Sequence, residues 1–130
     1  MLQRIDDRGS ISALVVGLLM SFIACAGLAL DGGRIVATKV RASDRAENAA
    51  RVGAQAVTNI RLGVHSIDPP EAVRLVRRFL SSTGSSGSVI ANEIEVCVVV
   101  SEQVKMSILS LVGVRSREVA TERCARPIME

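Results

Sequence analysis

The longest apolar pattern in the chain lies near its N-terminus. The segment from Ser10 to Leu30 contains no charged residue, and Arg8 and Asp31 border it. At a helical rise of ~1.5 Å per residue, such a helix is ~30 Å long, which is the thickness of the hydrocarbon core of a bilayer. The rest of the chain has too few large hydrophobic residues to enclose this helix. The pattern therefore predicts a transmembrane helix over residues 10–30.

The residues around this span allow different kinds of processing. We expect residues 1–9 to be a short N-terminal leader or cytoplasmic segment. Ala24-Cys25-Ala26 resembles the small-residue site at which a signal peptide is cleaved, and Cys25 is also a residue type that lipoproteins acylate. The apolar run continues past Cys25 to Leu30, which favours an uncleaved helix in which Cys25 packs as a small residue.

A second helical pattern follows the span. Small residues recur at three- and four-residue spacing and so share one face of a helix, namely Ala46, Ala49, Ala50, Gly53, Ala54 and Val57. The pattern predicts an alanine-rich juxtamembrane helix over residues 31–62, which is continuous with the span if Gly32-Gly33 does not break it. Such a face either packs against a helix of another subunit or covers a small sheet of the same chain. Both interpretations stay open, and the subunit-packing seam is the working prediction.

Residues 68–130 have the pattern of a small domain that begins with a helix. Asp68-Pro69-Pro70-Glu71 combines an N-cap residue, prolines suited to the first turn and a capping-box spacing. The apolar positions then predict a helix to about Leu80, followed by a flexible turn at residues 81–88.

The second half of this domain alternates as strands do. Residues 89–90 and 94–100 predict a β-hairpin, residues 103–112 a short helix that Gly113 ends, and residues 114–125 a last strand. The predicted fold class is α+β: a long N-terminal transmembrane and juxtamembrane helix followed by a small α-β-β-α-β domain with an antiparallel-hairpin sheet.

Composition argues against several classes of partner. Hydrophobic residues make up 48% of the chain, but only Phe22 and Phe79 are aromatic, which argues against modules that stack on bases. A net charge of +3 is too small to imply a polyanion partner. We expect the partners to be the lipid bilayer and other proteins, with no nucleic acid, no small-molecule substrate and no cofactor.

Residues with catalytic or metal-binding chemistry are few. The single histidine, His65, lies in a predicted loop, and the three cysteines have no Cys-x-x-Cys spacing. Glu93 and Glu95 share a strand face, but a solvated surface explains them better than acid–base catalysis. We therefore expect no catalytic, cofactor-binding or metal-binding residues and predict that the protein is not an enzyme.

Three arginines of the predicted helix in the distal domain point to an alternative function. Arg74, Arg77 and Arg78 lie outside its apolar face. A solvated helix face is the simpler interpretation. The alternative is a tethered extracytoplasmic binding module, or a lipoprotein, that recognises an acidic surface polymer or a lipid headgroup through these arginines.

The order of several motifs resembles that of a known family. A membrane helix opens after Arg8-Gly9-Ser10, Asp31-Gly32-Gly33-Arg34 follows it, and then come the alanine-rich helix, Asp68-Pro69-Pro70 and Leu109-Ser110-Leu111-Val112-Gly113-Val114. Together, from Gly9 to the end, they resemble the TadE/TadG-like proteins of the Tad (Flp) pilus-assembly system. The resemblance implies a non-catalytic pseudopilin-like or minor-pilin component of a type IV pilus or related secretion assembly, packed with other subunits through its N-terminal helix.

The resemblance also bears on processing. Pilin-like precursors of this class often carry Glu five residues after the cleaved glycine. If cleavage fell between Gly9 and Ser10, that position would be Leu14. The sequence is therefore more similar to the unprocessed, anchored members of the family.

Two kinds of evidence disagree on topology. The resemblance implies a single-pass protein of the cytoplasmic membrane, with its C-terminal domain outside the cytoplasm or in the pilus. Basic residues favour the opposite orientation, because Arg34, Lys39, Arg41 and Arg45 follow the span whereas Arg4 and Arg8 precede it.

Two cysteines connect topology with redox chemistry. Cys97 falls in the second strand of the predicted hairpin and Cys124 in the last strand, so the two strands could be neighbours. A disulfide would fit an extracytoplasmic domain, whereas two separate thiols would fit a cytoplasmic one. The residues leave both alternatives open.

Overall fold

The fold is built on one long helix. The computed structural model describes residues 8–58 and 66–127. In chain order the elements are helix α1 (Arg8–Ala54), strands β1 (Val57–Thr58) and β2 (Ser66–Ile67), helix α2 (Pro69–Ser82), strands β3 (Ser86–Ala91) and β4 (Val96–Lys105), a 3₁₀ helix (Leu109–Val112) and strand β5 (Ser116–Ala125). The predicted α+β class is confirmed, because a long apolar helix precedes a small domain with a short helix and antiparallel sheets.

Helix α1 has two different halves. Its first part is the one helix of the described residues that is long and apolar enough to cross a membrane. Between Ile11 and Ile23 the large apolar side chains are 47% to 71% exposed. From Gly27 onward one stripe of the same helix is buried. The helix runs unbroken through Gly32 and Gly33, so the apolar segment and the segment that packs on the domain belong to one helix of ~70 Å.

The main sheet lies against the second half of α1. Strands β3, β4 and β5 form an antiparallel sheet in that order, and β1 pairs with β2 as a separate two-stranded ribbon. In the central strand β4, Val96, Val98 and Val100 have no exposed area, whereas the alternate residues are half-buried. The valines face α1 and α2, which leaves the opposite face of the sheet uncovered by helices.

The helix and the sheet approach closely because the buried stripe of α1 is made of small residues. Ala42, Ala46, Ala49 and Ala50 are fully buried in one core with the valines of β4 and with Val76 of α2. At Gly53, a Cβ atom would lie 2.7 Å from Cγ2 of Val76 and 2.9 Å from Cγ1 of Val96. A Cβ atom is accommodated at this contact only if Val76 and Val96 shift.

The start of α2 follows the sequence prediction. Helix α2 begins at Pro69, and Oδ1 of Asp68 accepts a hydrogen bond from the backbone N–H of Glu71, at 3.4 Å. Its apolar face buries Ala72, Val76 and Leu80. The N-cap and the prolines of the first turn therefore fix this boundary locally.

The predicted helix over residues 103–112 is wrong. Strand β4 continues to Lys105, and only Leu109–Val112 forms a 3₁₀ helix. Val104 continues the inner face of β4 and is buried with Met106 and Val119. The four-residue spacing of Val104 and Ile108 matches a helix, but Val104 is in a strand because its backbone pairs with β5.

Other boundaries also differ from the prediction. The second strand of the hairpin begins at Val96 rather than at residue 94. The juxtamembrane helix ends at Ala54 rather than at residue 62, because Val57 pairs with Ile67 in the β1–β2 ribbon. Strand β3 begins at Ser86, inside the segment predicted as a turn, because its backbone pairs with Ser101 of β4. The last strand begins at residue 116 rather than 114. The calls on residues 1–7 and 59–62 lie outside the described residues.

Candidate functional site

The direction of β4 decides which end of the domain lies near the apolar half of α1. Val96 lies beside Gly53, near the end of α1, whereas the backbone N–H of Ser107 reaches Asp31. The connection between β4 and β5, at residues 106–115, therefore lies where the apolar segment of α1 ends. The β3–β4 turn lies at the other end of the domain, ~35 Å away along the helix.

Asp31 joins α1 to this connection. Its carboxylate has no exposed area and accepts three backbone N–H groups, from Ser107 at 3.0 Å, Ile108 at 3.0 Å and Leu109 at 2.8 Å. The N–H groups at the start of a 3₁₀ helix lack partners within that helix, so Asp31 caps this one from a distant element.

The same contacts set the ionisation of Asp31, which lies outside the 10–30 span. The hydrogen bonds from Leu109 and Ser107 hold the pKa of this carboxyl below its ordinary value, against the opposing effect of burial. The Ile108 hydrogen bond and the nearby Arg34 guanidinium lower the pKa of Asp31 further. The carboxylate form is therefore the one that holds the connection.

Two neighbours of Asp31 complete the junction. At Gly27, one turn earlier on α1, a Cβ atom would lie 2.6 Å from Cγ2 of Ile108. Nη1 of Arg34, one turn later, donates to Oγ of Ser107. We call the contact of Gly27, Asp31 and Arg34 with residues 107–109 the helix–loop junction.

The sequence pattern did not predict this junction. From the sequence, Asp31 is only the charged border of the span and part of a family motif. The available signal was the four-residue step from Gly27 to Asp31, which continues at Thr38, Ala42 and Ala46 as one buried stripe. Nothing in the sequence pattern indicated that residues 107–109 are the partners.

The predicted subunit seam packs inside the domain. Ala46, Ala49 and Ala50 have no exposed area, and Gly53 and Ala54 are also buried, while Val57 lies half-buried in β1. The side chains of Ala46, Ala49 and Ala50 lie in one core with Val76 of α2 and the valines of β4, so these three are not available to another subunit. Of the two interpretations, the structure supports the helix that covers its own sheet.

The two cysteines of the sheet lie directly opposite each other in β4 and β5. The Sγ atoms of Cys97 and Cys124 are 2.04 Å apart, as in a disulfide, and their Cα atoms are 4.0 Å apart, closer than the usual 4.4–6.8 Å. They lie on the sheet face that the helices do not cover. The Glu122 carboxylate lies within 4.8 Å of both sulfur atoms, but sulfurs bonded to each other are poor metal ligands. Cys25 is a free, exposed cysteine of α1.

The other residues singled out from the sequence are spread over the surface. Arg74, Arg77 and Arg78 are exposed on α2, and Arg74 forms an ion pair with Glu71. Recognition of an acidic polymer or lipid by these three arginines stays a prediction. Glu95 pairs with Arg126, while Glu93 is exposed. Gly9 and Ser10 lie in the first turn of α1, and His65 is outside the described residues.

A comparison with known families supports the resemblance seen in the sequence. Residues 9–56 match the family model described as putative Flp pilus-assembly TadE/G-like. The chain is similar to TadE/G-like proteins over this segment. The match follows the extent of α1 closely, so the matched part comprises both the apolar half of the helix and the half that carries the domain. It supports a role in pilus assembly. No curated protein and no solved structure matches the chain.

Proposed function

We propose that the protein is a non-catalytic, pseudopilin-like or minor-pilin component of a Tad (Flp) pilus or a related secretion assembly. In this role α1 anchors it as a single-pass protein of the cytoplasmic membrane, with the C-terminal domain outside the cytoplasm or in the pilus. The observation that carries the proposal is the division of α1. Its first part exposes large apolar side chains, and its second part is fixed to the domain by buried alanines and by Asp31. A rigid helix of this kind holds the domain at a fixed height above the membrane.

In this proposal, the exposed apolar part of α1 makes the contacts with other subunits. The alanine stripe of the second half is covered by the domain, whereas residues 10–26 have all their side chains exposed. Ala13, Gly17, Ser21 and Cys25 follow one another at four-residue spacing in this part. Small residues at this spacing let transmembrane helices approach closely, so Gly17 is the point at which added bulk has the largest effect on packing.

The test compares two substitutions in the anchor of the full-length protein. Gly17→Leu adds bulk on the small-residue face. Apart from the adjacent residues and the helix's own backbone, no described atom lies within 4 Å of a Cβ placed there, so the substitution does not touch the domain. Val15→Leu adds bulk on the opposite side of the helix and serves as the control. Both are expressed in a deletion strain, and surface pili and co-purification with the pilus subunits are measured.

Gly17→Leu is expected to reduce piliation and co-purification several-fold at an unchanged protein level, and Val15→Leu is expected to restore both to the wild-type level. A deletion strain with normal piliation would contradict the proposed function. Normal piliation and co-purification with Gly17→Leu, together with loss of pili on deletion, would contradict only the assigned contact.

A further inference from the structure

The connection between β4 and β5 exposes apolar side chains at its tip. Leu111 of the 3₁₀ helix is 84% exposed and Val114 is 41% exposed. Leu109 behind them packs on the cluster of Val104, Met106 and Val119, so the base of the connection is anchored in the domain. We call residues 108–114 the apolar tip.

The helix–loop junction fixes the height of the tip relative to the apolar span. Ile108 lies against Gly27, which is three residues before the end of the span at Leu30, or ~5 Å along the helix axis. Asp31 holds the next residue, Leu109, through its N–H group. The tip is therefore level with the last turn of the span, and its leucine is exposed at that height.

Basic residues surround the tip. Arg34 lies on α1, and Arg115 precedes β5. Lys105 and Arg117 lie on the adjacent ends of β4 and β5. The side chains of Lys105, Arg115 and Arg117 are exposed. The acidic groups at this end are fewer. Asp31 is buried and accepts three N–H groups, Glu102 pairs with Arg45, and Glu118 is exposed opposite Gln103. The electrostatic potential at the tip is therefore positive, which favours contact with anionic lipid headgroups.

We infer that the apolar tip is a second membrane contact, which inserts Leu111 at the headgroup boundary of an anionic bilayer while the surrounding arginines and Lys105 bind the headgroups. The occupant is lipid because the tip is level with the anchor and apolar residues with a basic rim are typical of interfacial binding. The inference rests on the proposed anchoring of α1. It adds that the domain is seated on the bilayer instead of standing free above it.

The test places an environment-sensitive fluorophore on the full-length protein in vesicles of phosphatidylcholine and phosphatidylglycerol. The label is attached at position 111 in a Cys25→Ser, Leu111→Cys variant. The matched control is Cys25→Ser, Ile94→Cys, because Ile94 is 67% exposed in the turn at the other end of the domain. The wild-type protein labelled at Cys25 reports on the anchor itself. Lipids that carry a quencher near the headgroup measure the contact.

The expected result is several-fold stronger quenching at position 111 than at position 94, with a blue-shifted emission at 111 only. Equal, weak quenching at both positions overturns the inference, and quenching at Cys25 in the same vesicles shows that the anchor still holds. Absence of quenching at Cys25 overturns the anchoring on which the inference depends. A blue shift at 111 that persists in detergent and disappears on dilution indicates contact with another protein copy and also overturns it.

A second measurement tests the basic rim. Replacing Arg115 and Arg117 by Ser is expected to weaken quenching at position 111 in the anionic vesicles to the level seen in pure phosphatidylcholine. The same change at Arg77 and Arg78, which are exposed on α2, is the matched control and is expected to leave the quenching unchanged. Equal effects of the two pairs would show that only overall charge matters and would overturn the headgroup contact of the rim.

Discussion

Asp31 shows how one side chain can position a whole segment. A carboxylate without exposed area is costly unless its oxygen atoms are paired, and here three backbone N–H groups pair them. In Asp31→Asn one carboxylate oxygen is replaced by an amide nitrogen, which donates hydrogen bonds and would face backbone N–H groups that also donate. The partly buried N–H groups that face this nitrogen would lose their acceptor, and an unpaired buried donor costs more free energy than a hydrogen bond whose two partners are both removed.

Asp31 therefore makes stability depend on pH. Its pKa lies below its ordinary value of 3.8 in the folded protein, so the unfolded chain binds a proton first as the pH falls. The contribution of Asp31 is complete above the ordinary pKa and is lost as the pH falls through the lower, folded-state value. We expect Asp31→Asn to lower the unfolding temperature at neutral pH and to flatten its dependence on pH in the acid range.

The control for this prediction is Asp44→Asn, because Asp44 is exposed on the same helix. Circular dichroism of the three proteins in detergent, followed against temperature at several pH values, measures the effect. Identical acid profiles for the wild type and Asp31→Asn would show that the three hydrogen bonds do not favour the charged form.

Two glycines of α1 are expected to respond oppositely to alanine. At Gly53 the added Cβ would overlap Val76 and Val96. At Gly32 no atom lies within 4 Å of it apart from the adjacent residues and the helix's own backbone. Gly53→Ala is expected to lower the free energy of unfolding by about 1–3 kcal/mol, the usual effect of overpacking. Gly32→Ala is expected to raise it by about 0.5–1 kcal/mol, since alanine favours the helix. Denaturant unfolding of both variants checks the pair, and equal shifts would contradict the close contact at Gly53.

At the scale of elements, local signals predicted some parts of the fold and not others. The uncharged run over residues 10–30 and the Asp68 cap of α2 act within a few residues, so sequence alone identified them. Val104 could not be assigned from its neighbours, because its place in β4 depends on pairing with Arg117 of β5. The same holds for Asp31, whose partners are more than seventy residues away in sequence.

The alanine face of α1 shows a different limit. Its small residues predicted a close contact with another element, and the structure contains such a contact. The same residues are equally suited to pack against a helix of another subunit or against a sheet of the same chain. Small side chains specify the distance of approach and not the identity of the partner. The partner is the protein's own sheet because the valines of β4 form an apolar face that is buried against these alanines.

At the scale of the whole molecule, the sheet disulfide bears on which side of the membrane the domain lies. Disulfides persist outside the cytoplasm, so a Cys97–Cys124 bridge in cells supports the extracytoplasmic placement that we propose. Thiol labelling of intact cells under non-reducing conditions is expected to leave both cysteines unmodified until a reductant is added. Free Cys97 and Cys124 in freshly prepared cells would contradict this placement.

The same bridge is expected to stabilise the domain. It closes a loop with a sequence separation of 27 residues, for which the loss of entropy in the unfolded chain corresponds to roughly 3–4 kcal/mol. Replacing both cysteines by Ser is expected to lower the free energy of unfolding by that amount. The control is the reductant, which should destabilise the wild type and leave the double variant unchanged; an effect on both would contradict the role of the bridge.

The distance in sequence between Asp31 and its partners also orders the events of biosynthesis. Leu109 is 78 residues after Asp31, so at ~5–20 residues per second the ribosome adds it roughly 4–16 s later. Helix α1 is thus synthesised, and its apolar part can enter the bilayer, before β4 and β5 exist. During this time the face of α1 that these strands will cover is exposed. The junction closes only after the C-terminal strands have emerged and, in the proposed topology, have been translocated. Any partner that recognises the seated domain must therefore act on finished chains, after export.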